Sequence, residues 1–177
     1  MNRTPFRHLD FISVIEGSRV RLSKPDGHPV YRYDNIEYDV VDSVQVATEL
    51  VRSQLDAKYV SSHFKKNHQH KRQHSHAGLC VVATMCCLYL LNDNRYVPWA
   101  AVDTDDIRHW WFTDIETSVV FDVTANQYTQ VELESLYENG KPTPYYGWGQ
   151  RPATRFLDLL TTVQPTTVRF KSDVPVA

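Results

Sequence analysis

The chain has 177 residues, 42% of them hydrophobic and 23% charged, with a formal net charge of −2. That balance describes one ordinary globular domain and excludes a fibre, a low-complexity chain and a disulfide-rich miniprotein. No apolar run approaches the roughly 18 residues a membrane helix needs, and Met1–His8 has no hydrophobic signal core, so a cytoplasmic protein with no membrane partner is expected.

Taken in chain order, Phe11 to Tyr38 mixes short β-like pieces with turn chemistry. Lys24-Pro25-Asp26-Gly27 is a turn, because proline fixes φ and glycine accepts positive φ. Val30–Tyr33 and Ile36–Val41 read as strands. Asp42 is expected to cap a helix over 43–58, with Val44, Ala47, Leu50, Val51 and Leu55 among its apolar positions. Residues 1–60 are expected to be an N-terminal addition, within a single domain 1–177, to a core at 78–160. Ala57 to Asn92 holds Lys58, Lys65, Lys66, Lys71 and Arg72 and no acidic residue, which leaves a net −7 on the rest of the chain. With His63, His68, His70, His74 and His76, the loop 63–76 reads as a mobile basic approach suited to an acidic partner. The overall charge does not favour a nucleic-acid partner.

Leu79 to Leu91 is apolar all round, the pattern of a helix buried on every face, and Asn92-Asp93-Asn94 ends it. Trp99–Val102, His109–Thr113 and Ser118–Val123 read as strands rich in β-branched and aromatic residues. Tyr128–Leu136 is ambiguous, Tyr137–Pro152 reads as a loop, Arg155–Val163 as a helix and Val168–Phe170 as a strand. The order implies an α+β fold in which a buried helix packs on a small antiparallel sheet.

The chemistry concentrates at that helix. The three cysteines, Cys80, Cys86 and Cys87, lie in one apolar run, an odd count that reads as reduced thiols. Cys80 stands at the helix start, where unpaired N–H groups and the positive dipole end favour a thiolate. Cys86 and Cys87 lie about two turns further in and read as packing residues. A nucleophilic thiol needs a base, and the base needs an orienter. A hairpin with the loop Asp114–Thr117 would set Thr113 opposite Ser118, Trp111 opposite Val120 and His109 opposite Asp122, with facing Cβ atoms about 4.5–5.5 Å apart. A one-residue slip would turn one partner to the other face. The candidate catalytic set is therefore Cys80, His109 and Asp122. The order Cys, His, Asp resembles that of papain-like enzymes, in which a second oxyanion donor often lies a few residues before the Cys, the neighbourhood of His74 and His76. His68-x-His70 and His74-x-His76 have the spacing of a metal pair but no nearby acids, and Asp103-Thr104-Asp105-Asp106 lacks the glycine and terminal glutamate of a calcium loop. No metal or cofactor is expected.

His76-Ala77-Gly78-Leu79-Cys80-Val81-Val82-Ala83, His109-Trp110-Trp111-Phe112 and Asp122-Val123-Thr124-Ala125-Asn126-Gln127-Tyr128 resemble the YunG-like family of small bacterial proteins. The family pattern runs approximately G-Q-C at a helix start, H-[YW]-[WF], then D-x-T-x-x-Q-[FY]. Arg151–Phe156 with Leu159 is similar to its C-terminal segment. Leu79 stands where the family usually has Gln. The resemblance covers about Gly78 to Leu160 and implies a papain-like or transglutaminase-like core, with Cys80, His109 and Asp122 as the triad and Thr124 and Gln127 as motif residues. The function expected is a cysteine-dependent hydrolase or acyl transferase acting on an amide, isopeptide or thioester bond, most simply of a protein or peptide substrate. A non-catalytic binding or inhibitory module on the same fold is the alternative. Trp111, Gln127, Trp148 and His76 are the candidate substrate-contacting residues, with core packing the competing role for the tryptophans.

Overall fold

Segments scattered along the chain come together in two antiparallel sheets. The computed structural model describes residues 12–23, 33–70, 74, 76–143, 154–164 and 167–170. The first sheet runs β1 (Ile12–Glu16), β2 (Arg19–Ser23), β3 (Tyr33–Asp39), and is completed by the C-terminal β8 (Thr167–Phe170) against β3. α1 (Val44–Ser53) and the short α2 (Ser62–Asn67) lead to α3 (Cys80–Leu91). The second sheet has the order β6-β5-β4-β7, from β4 (Tyr96–Val102), β5 (Arg108–Asp114), β6 (Val120–Phe121) and β7 (Lys141–Pro142). α4 (Gln130–Asn139) precedes β7, and α5 (Thr154–Val163) precedes β8. The architecture is α+β, and no helix among the described residues is long and apolar enough to cross a membrane.

Local chemistry explains where the boundaries depart from expectation. Ser43, not Asp42, caps α1, its Oγ accepting the Val46 N–H at 3.3 Å. The helix stops at Ser53 instead of continuing to residue 58. Asp56 diverts the backbone there, its Oδ1 accepting the Lys58 N–H at 2.7 Å to cap a separate 3-10 turn over Ala57–Tyr59. The polar stretch expected to be irregular contains α2, capped by Ser61. The ambiguous segment is α4, held by a reciprocal capping box between Thr129 and Glu132. The expected turn at 24–27, residues 30–32 of an expected strand, and the 144–153 part of the expected loop, with Trp148, lie outside the described residues.

α3 is the hub of the core. All of its residues are buried except Val81, which is partly so. Val44, Ala47 and Val51 of α1, Phe156, Leu157, Leu159 and Leu160 of α5, and Phe112 of β5 pack into the same buried cluster. So do Val20, Ile36 and Tyr38 of the first sheet. Tyr38 meets Tyr89 with ring centroids 6.5 Å apart, Tyr89 meets Phe156 at 4.8 Å, and Val41 N–H donates to the Leu90 carbonyl at 2.8 Å. Residues 1–60 were expected to be an N-terminal addition to a core at 78–160 within a single domain. Their described part packs into the same buried cluster as α3, and β3 pairs on one edge with β2 and on the other with the C-terminal β8.

Ile36, fully buried in that shared core, tests the coupling. Ile36→Ala should cost about 2–5 kcal/mol and shift one cooperative urea transition, followed in parallel by tyrosine and tryptophan fluorescence. Two separated transitions would mean the first sheet folds on its own.

Candidate active site

Cys80 is the first residue of α3, and the residue before it, Leu79, provides no side-chain cap. The first N–H groups of a helix have no partner inside it, so this end presents donors and positive dipole charge beside the thiol. Gly78 makes the entry: its φ is +78°, and a Cβ there would stand 2.6 Å from Phe64 Cδ1. Phe64 of α2 thereby lies directly over the turn into α3. Cys80 packs with Ala100 and Trp110, and its Sγ lies 3.8 Å from the Arg108 carbonyl oxygen.

β5 carries His109. It is an inner strand covered on both faces, so His109-Trp110-Trp111-Phe112 shows no polar alternation. Trp110 and Phe112 face the α3 side. His109 and Trp111 face the other side, where Leu136 and Tyr137 of α4 pack on Trp111. His109 is 1% exposed. Its Nε2 pairs with Asp122 Oδ2 at 2.6 Å, and the Tyr128 ring meets the imidazole edge-on with centroids 4.7 Å apart. Nδ1 is buried with no conventional hydrogen-bond partner among the described residues.

The hairpin that joins His109 to Asp122 differs from the expected one. Thr113 pairs with Val120, not Ser118, and Phe112 with Phe121. Asp114 remains in β5 and caps the turn, its Oδ1 accepting the N–H groups of Glu116 at 2.9 Å and Thr117 at 3.3 Å. The four-residue loop is therefore 115–118, with Ser118 at φ +60°. Shifting the loop by one residue shifts the register by two. An even shift keeps every side chain on its face, so Asp122 is diagonal to His109 rather than opposite it, and the two still bond. β6 ends at Phe121 because Asp122 turns the chain: its Oδ1 accepts the Thr124 N–H at 2.9 Å and the Thr124 hydroxyl at 3.4 Å.

Asp122 is saturated. Besides His109 and Thr124, the Tyr137 hydroxyl donates to Oδ2 at 3.0 Å. Arg52 of α1 clamps the backbone at the same place, Nε donating to the Val123 carbonyl at 3.1 Å and Nη2 to that of Asp122 at 3.4 Å. Burial pulls the His109 pKa down, but the hydrogen bond to Asp122, together with the influence of Cys80 and the Asp122 charge, outweighs it and lifts it from 6.5 to about 10. The imidazole is thus held in its cationic form at neutral pH, donating from Nε2 to the carboxylate. Cys86 and Cys87 are fully buried, and burial pushes both thiols up. All three cysteines are free.

A cavity of about 300 Å³ opens onto Cys80. Ala77, Gly78 and Val81 form its wall around the thiol, Phe64 its roof, and Gln127, Tyr128, Arg108 and Arg155 carry its polar groups. Of the four residues expected to touch substrate, Gln127 lines the cavity, with its Nε2 also bonded to the Thr124 carbonyl at 3.1 Å. His76 does not line it, and its Nδ1 pairs with Asn126 Oδ1 at 2.9 Å. Trp111 is 1% exposed and packed among Leu136, Tyr137 and Ala101, so its role is packing, because a side chain sealed behind β5 and α4 has no free surface to offer. Trp148 lies outside the described residues. His74 lines the cavity, whereas the pairing of His76 removes it as an oxyanion donor. Among the described residues no group of three or more His, Cys, Asp or Glu is placed to hold a metal. Asp103 instead folds its own turn, Oδ1 accepting the Asp105 and Ile107 N–H groups and Oδ2 the Tyr128 hydroxyl.

Sequence reasoning missed Tyr137, Arg52, Tyr128 and Arg155. Only Thr124 left a local trace, since Asp-x-Thr is an Asx-turn pattern. The others reach the site through long-range contacts. No family model, curated protein or solved structure matches the chain in the comparisons made.

The His109 shift carries a sign. A histidine whose folded pKa lies above its ordinary 6.5 contributes stability that is complete below about pH 6.5 and is lost as pH rises through about 10. Wild-type protein should therefore lose more urea stability between pH 6.5 and 10 than His109→Gln. In Asp122→Asn, imidazole nitrogen NMR should show His109 titrating well below the wild-type value. An unchanged titration would mean the carboxylate does not hold the charge.

Proposed function

We propose that this protein is a cysteine-dependent hydrolase or acyl transferase with a papain-like arrangement, related to the YunG-like family, in which Cys80 is the nucleophile, His109 the general acid–base and Asp122 the orienter. The observation that carries the reading is the buried His109–Asp122 contact of 2.6 Å, in a histidine whose charge also responds to Cys80 at the helix start.

In the reaction, His109 starts as the imidazolium beside the Cys80 thiolate, and the sulfur attacks the carbonyl carbon of an amide or related acyl group. The C–S bond forms as the carbonyl π electrons move onto oxygen. The N–H groups at the start of α3 face that developing oxyanion. As the tetrahedral intermediate collapses, the C–N bond breaks and His109 returns its proton to the leaving amine. Water, or an acceptor amine, then gives its proton to His109 and releases the acyl group from sulfur. Asp122 keeps the imidazole oriented throughout and stays ionised, since its oxygens accept from His109, Thr124 and Tyr137. The substrate in this reading is a protein or peptide. Free thiols at all three cysteines suit a reducing compartment such as the cytoplasm.

Alkylation by iodoacetamide tests the dyad. An ordinary thiol of pKa about 8.5 is only about 1% thiolate at pH 6.5, so an activated Cys80 should react about 10- to 100-fold faster than free cysteine there, as read by peptide mass mapping. His109→Ala should remove the advantage. Reaction at the rate of free cysteine would overturn the enzyme reading. Tyr137→Phe removes one neutral donor from Asp122, worth about 0.5–1.5 kcal/mol, and should slow Cys80 alkylation severalfold with the same midpoint dependence on His109.

A further inference from the structure

The cavity beside Cys80 contains a guanidinium that no carboxylate among the described residues pairs with. Arg155, the second residue of α5, is half-buried and lines the cavity. Its one hydrogen bond among the described residues runs from Nη1 to the Tyr59 carbonyl at 3.3 Å, and no carboxylate pairs with it. A guanidinium has five donors in a planar fork, so most of that fork is unused. Taking a charged group partly out of water is costly unless a partner offsets it. Arg155 lies near enough to Cys80 for the two charges to interact. The remaining charges on the wall are the exposed Arg108 and Asp106, which cancel formally. Arg155 is thus the cationic side chain of the wall with no carboxylate counterpart among the described residues.

We propose that Arg155 is the specificity-determining residue of this site, binding a carboxylate in the acyl half of the substrate while Cys80 attacks the neighbouring carbonyl. A carboxylate matches the guanidinium fork, which can hold it by two parallel N–H···O bonds. A cavity of about 300 Å³ takes a group of about one or two amino-acid residues, not an extended chain. The acid-free stretch from Ala57 to Asn92 supplies α2 and the His-bearing side of the cavity, so the carboxylate on the described wall is the exposed Asp106. The carboxylate comes from an acidic side chain next to the scissile bond or from a chain terminus. This assignment rests on Cys80 being the nucleophile.

The test compares iodoacetate, which carries a carboxylate, with iodoacetamide, its neutral isostere, as alkylators of Cys80 in the full chain. The ratio of the two rates should exceed that of free cysteine by about tenfold or more, the size of a hydrogen bond to a charged group. Arg155→Gln should lower the ratio about tenfold, and Arg155→Lys, which keeps the charge but not the fork, should restore only part of it. A high ratio that survives Arg155→Gln, or fast iodoacetamide reaction with no preference for iodoacetate, overturns the role of Arg155 while leaving the dyad standing. Slow reaction with both overturns the nucleophile and this inference together. Protection of wild-type Cys80 needs no variant and stands even if Arg155→Gln fails to fold. Shielding by N-acetyl-Gly-Glu-Gly-amide assigns a side-chain carboxylate, and shielding by N-acetyl-Gly-Gly with its free C-terminus assigns a chain end. Protection by neither overturns the proposal.

Discussion

The structure depends on a helix with no face for water. Apart from the partly buried Val81, every residue of α3 is buried, so the rest of the chain has to supply its surroundings. α1 and α5 pack on it, the second sheet offers Phe112 and Trp110, and the first sheet closes the remainder with Val20, Ile36 and Tyr38. Sheathing an apolar cylinder from residues this far apart in sequence is why β8, near the C-terminus, completes a sheet begun by β1 to β3. A helix sealed along its length can meet a ligand only at an end. The C-terminal end is closed by Asn92, left-handed and buried. The N-terminal end carries Cys80, and the cavity lies there.

Electrostatics at that end are organised by one carboxylate. Asp122 accepts from a histidine, a tyrosine and the turn of its own chain, with its side chain 3% exposed. An ionised acid in such a place is tolerable only because each oxygen is bonded. That requirement ties together parts of the fold with no other reason to meet: Tyr137 comes from α4, His109 from β5, and Arg52 from α1 holds the adjoining carbonyls. The N-terminal part of the chain thus reaches the site both through the core and through Arg52. The proposed chemistry and the proposed substrate charge are separate consequences of this arrangement. The first depends on the imidazole, and the second on a guanidinium across the cavity that the Asp122 network does not touch.

Much of this was legible in short stretches. The apolar run at 79–91 specified α3 because a thirteen-residue segment with almost no polar face has one low-cost environment. Cys80 at its start, and His109 and Asp122 on flanking strands, could be paired on paper because strand periodicity survives any even error in register. The hairpin tolerated a register error of two residues for that reason. The side-chain caps were harder to place. Ser43 displaced Asp42, Asp56 cut a helix short, and Asp114 moved a turn by one residue, since each such side chain competes with the backbone for the same N–H groups and neighbouring geometry decides which wins.

By itself, the sequence determined the buried helix, the free thiol at its start and the pairing of His109 with Asp122, because these follow from local periodicity and nearby residue chemistry. Only the tertiary structure decided that the described part of residues 12–60 shares the core, that Trp111 is sealed behind β5 and α4, that His76 is occupied by Asn126, and that Arg155 lines the cavity with Cys80. Each of those depends on which distant surfaces must cover one another to exclude water. Burial of that kind is a property of the whole packing and leaves no signature in any one segment.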